Sequence, residues 1–181
     1  KSDVLAGVKG ALGYRQLKLG IIAIFFYVGI EVGIPSKLLF YLSEPLSKGG
    51  ILGSAVVGGL ISGFYWLLML VGRFVSAFIS GKVSSRIQLT TTSVVAISLL
   101  LVAIFMPETS KMNLIIPDIT HWKLIDAEVP TNVVFIVLCG LCTSVMWGVI
   151  YNLATEGLGR YTASASGLFM TMVFGGGVMP L

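Results

Sequence analysis

The sequence predicts an all-α membrane protein with about five transmembrane helices. Three observations support this fold class: of the 181 residues, 56% are hydrophobic and only 11% are charged, and the mean hydropathy is +0.97. A soluble globule of this composition would expose too much apolar surface to water. We therefore expect the lipid bilayer to be the main solvent of the chain, since about 20 apolar residues in a helix suffice to cross its hydrocarbon core.

Five apolar segments make up the predicted bundle, which covers residues 19–181. The predicted spans are residues 19–42, 51–79, 87–106, 132–154 and 167–181. The fifth has only about 15 residues, and as a helix it would reach roughly 22 Å, which is less than the hydrocarbon thickness. Because the sequence stops within this apolar segment without a cap or a polar tail, we expect it to be part of a longer chain.

The charges between the spans predict which side of the membrane each connection faces. Residues 1–18 form an amphipathic lead-in with four cations and one acid, and residues 81–86 carry two cations and no acid. Short segments rich in Lys and Arg stay in the cytoplasm, so we expect both on that side. The loop of residues 107–131 has four acids against two cations and is expected outside. Its apolar stretches, interrupted by prolines, predict a short hairpin that lies on the bundle.

Several function classes are disfavoured by the remaining residues. The net charge of +4 is scattered and flanks apolar runs, which fits membrane orientation better than nucleic-acid binding. Cys139 and Cys142 lie within the fourth span and are expected to be small packing residues, and His121 is expected at the surface of a polar loop. An embedded enzyme using Glu31 and Cys142 would lack a metal-binding set or a Ser/His/Asp arrangement. We therefore expect no enzyme activity, no metal and no cofactor.

Glu31 stands near the middle of the first span, where a carboxylate costs at least about 2.5 kcal/mol. It must face a cavity or a partner. Two interpretations follow: Glu31 binds substrate or a proton, or it forms a structural ion pair with Arg73 or Lys37. Tyr27 lies one helical turn earlier on the same face, so we expect its phenol to line the same cleft.

Two further residues in the spans are predicted to have structural or gating roles. Pro35 removes a backbone hydrogen bond and is predicted to break the first span near Gly33, either beside a binding site or as a plain packing kink. Arg73 lies about two turns before the cytoplasmic loop, where its side chain is expected to reach the interface or pair with a helix terminus.

One face of the fourth span carries aromatic and hydroxyl groups. Ser144, Trp147, Gly148 and Tyr151 recur at intervals of three and four, and Asn152 is adjacent. This face suits a sugar, because an indole stacks on the apolar face of a pyranose while amide and hydroxyl groups bond its hydroxyls. The alternative is that the two aromatic residues fill the bundle core or anchor the helix at an interface.

Pairs of glycines spaced by four residues can mark close contacts between membrane helices. Such pairs occur at Gly29 and Gly33 and at Gly59 and Gly63, and a run of three glycines occupies residues 175–177. These positions are candidates for close helix packing.

Several motifs that resemble a known family occur in order along the chain: residues 14–20 (YRQLKLG), 25–32 (FFYVGIEV), 72–74 (GRF), 152–162 (NLATEGLGRYT), 166–167 (SG) and 175–180 (GGGVMP). The first two resemble the start of the seventh helix in the fucose and glucose/galactose permeases of the major facilitator superfamily. The third resembles the eighth-helix signature of that family, and the fourth its connection between helices ten and eleven. The last two continue the match in register.

The chain departs from the family at two places. Trp147-Gly148 stands where relatives commonly have an aromatic residue followed by proline in helix ten, so the geometry of that helix is expected to differ. Residues 163–165 (ASA) replace a glutamine-containing connection. The position of Glu31 accepts glutamine as well in the family, which implies hydrogen bonding to sugar over obligatory proton transfer.

The resemblance implies that the five spans are helices seven to eleven, in the C-terminal half of a twelve-helix fold that binds sugar between its halves. The missing N-terminal half would then be a partner. The implied function is secondary active transport of a hexose such as glucose, galactose or fucose across the inner (plasma) membrane, by proton symport and alternating access. The alternative is a multi-pass scaffold or partner subunit that does not transport.

The sequence thus predicts two sets of site residues. The substrate-binding candidates are Tyr27, Glu31, Trp147, Tyr151 and Asn152, and the structural or gating candidates are Pro35, Arg73 and Gly148. The expected partners are a small sugar, a coupling cation, expected to be a proton, and the lipid bilayer.

Overall fold

Long apolar helices dominate the computed structural model, which describes residues 2–48, 50, 53–107, 109–118 and 121–180. In chain order, the helices are α1 (Ser2–Leu12), α2 (Arg15–Ser43), α3 (Ala55–Ile79), α4 (Ser85–Phe105), α5 (Thr131–Thr155), α6 (Thr162–Thr171) and α7 (Gly175–Val178). Short 3-10 turns occupy Leu46–Lys48, Gly159–Tyr161 and Met172–Phe174. Two strands, β1 (Lys111–Asp118) and β2 (Lys123–Pro130), lie between α4 and α5.

Helices α2 to α5 are each long and apolar enough to cross a membrane. They coincide with the first four predicted spans, although α2 begins at Arg15, four residues before the predicted boundary. This confirms the predicted α-helical membrane fold. The Ser54 side chain caps α3 by accepting a hydrogen bond from the backbone N–H of Val57 at 3.4 Å.

The fifth predicted span is built from shorter pieces. Helix α6 has 10 residues and α7 has four, with a 3-10 turn between them. Its crossing of the membrane therefore stays a prediction. Four residues used in the predictions, Lys1, Ile51, Glu108 and Leu181, lie outside the described residues.

Helix α2 passes through Pro35 without interruption. The predicted break near Gly33 is therefore wrong. A proline removes one donor from a helix, and membrane helices tolerate this loss where neighbouring groups satisfy the backbone. Here the Ser62 hydroxyl of α3 donates to the Pro35 carbonyl at 3.2 Å, so the proline lies in a close contact between α2 and α3.

Helix α5 packs against α2, α3 and α4, and small residues allow the close approaches. Gly140 of α5 faces the backbone of Tyr65 in α3, and Gly72 of α3 faces Ser144 of α5. In contrast, a Cβ atom at either Gly59 or Gly63 would meet no described atom within 4 Å. That glycine pair therefore makes no close contact among the described residues. A spacing of four places two glycines on the same face of a helix, but it does not determine whether that face packs against another helix.

The buried apolar residues form two clusters toward opposite ends of the bundle. One joins α1, α2, α5 and α6 and includes Leu17, Ile24, Ala154 and Phe169. The other joins the opposite ends of α2, α3 and α5 to the hairpin; its members are Leu38, Leu42, Val57, Ile61, Ile116, Ala127, Val129 and Val133. Many other large apolar side chains on α3 and α4 are exposed, as expected for helices whose solvent is lipid.

The predicted hairpin in the loop is present. Strands β1 and β2 pair antiparallel, with Ile116 opposite Ile125. Alternate side chains turn toward the bundle, so that Ile116 and Val129 are buried while Ile115 is exposed. His121 lies at the turn with its side chain 71% exposed, as predicted, and its Nδ1 lies 2.8 Å from Oδ2 of Asp118.

Candidate functional site

A cavity of about 560 Å³ lies between α2, α3, α5 and the N-terminal part of α4. The polar and aromatic residues that line it are Glu31, Arg73, Ser76, Ser80, Ser85, Gln88, Ser144, Trp147 and Asn152. Gly148, Ala77, Val145 and Val149 complete the wall. Its volume lies within the range of about 300–1,000 Å³ that is typical of small-molecule sites.

An ion pair joins two helices at this cavity. Arg73 Nη2 of α3 lies 3.1 Å from Oε1 of Glu31 of α2. Glu31 is only 7% exposed, whereas the Arg73 side chain is 55% exposed. Of the two alternatives for Glu31, the structure therefore contains the ion pair with Arg73, and it also places both residues on the cavity wall. Arg73 pairs with Glu31 and not with a helix terminus, whereas its predicted reach to the membrane interface stays a prediction.

Lys37, the other predicted partner of Glu31, lies elsewhere. It lines a separate, mostly apolar cavity of about 750 Å³ together with Tyr41, Asn132 and other residues of α2, α4 and α5. Because Lys37 follows Glu31 by six residues on one helix, its side chain points away from the Glu31 face.

Tyr27 does not line the cavity that contains the Glu31–Arg73 pair, although it lies one turn from Glu31. Its hydroxyl donates to the Thr143 carbonyl of α5 at 2.8 Å. The Tyr65 hydroxyl of α3 hydrogen bonds with Thr143 Oγ1 at 3.1 Å. This network ties α2, α3 and α5 together near Glu31. Sequence reasoning missed Tyr65 and Thr143, although two hydroxyl groups in the middle of apolar spans were a signal that they bond to each other or to backbone.

Trp147 lines the cavity, whereas Tyr151 supports it from the side. The two rings are stacked, with centroids 5.9 Å apart and planes 11° apart. The Tyr151 hydroxyl bonds with Ser166 Oγ at 2.8 Å, and its ring packs edge-on against Phe169. Tyr151 is thus partly buried and packs against the core, which is closer to the alternative interpretation of this face.

Asn152 and Gly148 lie on the exposed side of α5 and face the cavity. A Cβ atom at Gly148 would meet no described atom within 4 Å, so the glycine leaves the cavity wide at that point. Asn152 contributes an amide, which both donates and accepts hydrogen bonds.

Sequence reasoning missed most of the polar wall on α3 and α4. Ser76 and Ser80 follow Arg73 at helical spacing, which was the available signal. Gln88 is buried one turn into α4, and its Nε2 donates to the Val83 carbonyl at 2.7 Å. Its Oε1 has no hydrogen-bond partner among the described residues, so an unused acceptor lies at the cavity wall.

The cysteines do not contribute to this site. Cys139 and Cys142 are free and buried on α5, and neither lines the cavity. The Cys139 thiol contacts the Phe135 carbonyl of its own helix at 3.5 Å. Their environment is that of packing residues.

The chain is similar to curated proteins named as transporters. It is 30% identical over 168 residues to a glucose/galactose transporter of Brucella abortus biovar 1 (strain 9-941), a match that covers 93% of this chain and 35% of that protein. It is 27% identical over 172 residues to a putative glucose/galactose transporter of Helicobacter pylori (strain J99), which covers 95% of this chain and 36% of that protein.

The chain thus spans about a third of the length of these relatives. No family model and no solved structure matches it. The relatives nevertheless align with nearly all of its residues, and the motifs quoted above resemble the same permeases. The chain is therefore related, over nearly its whole length, to sugar permeases named as glucose/galactose transporters.

Proposed function

We propose that this chain forms one wall of the sugar site in a secondary active transporter that moves a hexose such as glucose, galactose or fucose. The observation that carries the proposal is the cavity, which combines an ion pair, an indole and several hydroxyl and amide groups. These groups can bond the hydroxyls of a sugar and cover its apolar face. The names of the relatives support the same substrate class.

The proposed substrate contacts are Glu31, Trp147 and Asn152. Glu31 uses Oε1 in the ion pair, and its carboxylate is proposed to accept hydrogen bonds from sugar hydroxyls as well. Trp147 stacks on the sugar ring, and the Asn152 amide hydrogen bonds with sugar hydroxyls at the edge of the site. Tyr27 and Tyr151 act through other residues, since one fixes α5 near Glu31 and the other supports the indole.

Transport is proposed to follow alternating access at the inner membrane. Ser80 and Ser85 flank the short connection predicted to face the cytoplasm, and both line the cavity. The cavity would then open toward the cytoplasm and release sugar on that side. The rest of the transporter would supply the opposite wall and the acids that couple transport to protons.

Sugar uptake by the full-length protein in proteoliposomes tests the proposal. We expect uptake of labelled glucose, galactose or fucose, and loss of that uptake in Glu31→Ala. The matched control is Glu44→Ala, because Glu44 is an exposed acid of the same region that pairs with Lys48. Uptake that is unchanged in Glu31→Ala would remove Glu31 from the mechanism.

The same vesicles test the coupling ion. An inward proton gradient is expected to drive sugar accumulation, and a protonophore is expected to abolish it. Accumulation driven by a sodium gradient alone would contradict proton symport. If none of the hexoses is taken up or shifts the melting temperature, the scaffold alternative is favoured.

A further inference from the structure

We infer that the Glu31–Arg73 ion pair makes the site selective for uncharged sugars and excludes sugar acids and amino sugars. This inference rests on the proposed function, because it assigns a charge preference to the same cavity. It goes beyond that function by giving the two charged residues a role in specificity that is separate from holding the helices together.

The charged residues that line the cavity balance one another. Among the described residues that line it, Glu31 and Arg73 carry the charges, and their contact at 3.1 Å makes them neutral as a pair. The rest of the wall consists of hydroxyl, amide, aromatic and apolar groups. A neighbouring smaller pocket shares Asn152 and contains Arg86 and Glu156, which are again opposite in sign. The wall that the described residues of this chain contribute therefore offers no net charge to a ligand.

The Arg73 guanidinium is more accessible than the Glu31 carboxylate. The Arg73 side chain is about half exposed, whereas Glu31 is nearly buried. Arginine has five N–H donors and pairs well with carboxylates, so an unpaired Arg73 would attract a sugar acid. Glu31 already occupies Nη2, and its carboxylate would lie beside the carboxylate of such a ligand. Like charges in this arrangement disfavour binding.

A cationic ligand meets the opposite pair of interactions. A protonated amino sugar would be attracted to Glu31 but repelled by the more exposed Arg73. The pair therefore acts against both kinds of charged ligand, while the half-exposed guanidinium still offers N–H donors to neutral hydroxyls. Specificity of this kind comes from the penalty on the wrong ligand.

Changing one partner at a time tests the inference in the full-length protein. Glu31→Gln keeps the shape and an acceptor but leaves Arg73 uncompensated, and Arg73→Gln leaves Glu31 uncompensated. The ligands are glucose, glucuronate and glucosamine at neutral pH, and the measurement is competition against labelled hexose binding. We expect Glu31→Gln to raise the affinity for glucuronate relative to glucose by about tenfold or more, and Arg73→Gln to do the same for glucosamine.

Two controls separate charge from damage to the site. The double variant Glu31→Gln with Arg73→Gln is neutral again and is expected to regain the preference for glucose over both charged sugars. Asn152→Ala is expected to weaken the binding of all three sugars without changing the ratios of their affinities, because it alters no charge.

The inference would be overturned if both single variants kept the unmodified protein's affinity ratios between charged sugars and glucose. A double variant that prefers a charged sugar would overturn it as well. If one single variant does not fold, the other single variant and the double variant still decide. Failure of the proposed function is a different result, in which the unmodified protein binds none of the neutral hexoses.

Discussion

Tyr151 and Asn152 are neighbours in the sequence but lie in different environments. The Tyr151 ring is packed between Trp147 and Phe169, while Asn152 faces the cavity. Consecutive residues on a helix are about 100° apart, so one can belong to the core and the next to a site. This difference in position is the reason why Asn152, and not Tyr151, is proposed to contact sugar.

Substitutions at this pair are expected to have opposite effects. Asn152→Ala should weaken hexose binding about fivefold, since a hydrogen bond contributes about 1 kcal/mol. Tyr151→Phe should leave the affinity nearly unchanged and lower the stability by about 1 kcal/mol through loss of its bond to Ser166. Ligand titration and thermal unfolding of the full-length protein measure the two effects. The reverse pattern would place Tyr151 in the site.

Tyr27→Phe is expected to act on stability more than on binding. Its hydroxyl donates to the Thr143 carbonyl, and we expect a loss of about 1 kcal/mol. Tyr65→Phe is the companion variant, because Tyr65 bonds the hydroxyl of the same threonine. Unfolding of both single variants and the double variant should reveal coupling between them. A large loss of sugar affinity in Tyr27→Phe with unchanged stability would contradict this assignment.

At the scale of elements, the contact between α3 and α5 brings together two of the helices that line the cavity. The contact depends on Gly140 and Gly72, which let the two backbones approach. A Cβ at Gly140 would lie 2.7 Å from the Tyr65 carbonyl oxygen, and a backbone atom cannot move aside without shifting the helix.

Gly140→Ala is therefore expected to lower the stability by about 1–3 kcal/mol, as overpacking typically does. Gly63→Ala serves as the matched control, because a Cβ there meets no described atom within 4 Å. The control should leave the stability unchanged or raise it, since alanine favours helix by about 1 kcal/mol over glycine. Thermal unfolding in detergent gives both values, and equal losses in the two variants would refute the role of Gly140.

At the scale of the whole molecule, the hairpin closes one end of the bundle. Strands β1 and β2 contribute three residues to the cluster formed by the ends of α2, α3 and α5. The opposite end is held by α1, whose Ala11 lies in a cluster with Leu17 and Phe169. Trp147 lines the cavity and also packs against the second of these clusters, so packing at that end supports the site.

Adjacent residues of β1 test the contribution of the hairpin. Ile116→Ala removes a side chain that is 3% exposed and should lower the stability by about 2–5 kcal/mol. Ile115→Ala changes a side chain that is 69% exposed and should stay within about 0.5 kcal/mol. Unfolding measurements compare the two. A similar effect of both would mean that the hairpin does not pack on the bundle.

Much of this architecture follows from the hydropathy of the sequence. In lipid every backbone group must be satisfied within the chain, so long apolar segments become helices, and α2 to α5 lie where the apolar segments predict them. Glu31 was also identifiable, because a carboxylate within an apolar span needs a cavity or a partner. The family could be recognised from motifs that depend only on residue order.

Other features depend on contacts between distant segments. The periodicity of a helix gives the angles between its own residues, but not the rotation of that helix toward its neighbours. Only packing therefore decided that Arg73 pairs with Glu31, that Ser76 and Gln88 share their cavity, and that Tyr151 packs against Phe169. Helix α2 stays continuous through Pro35, whose carbonyl accepts a hydrogen bond from Ser62 of α3.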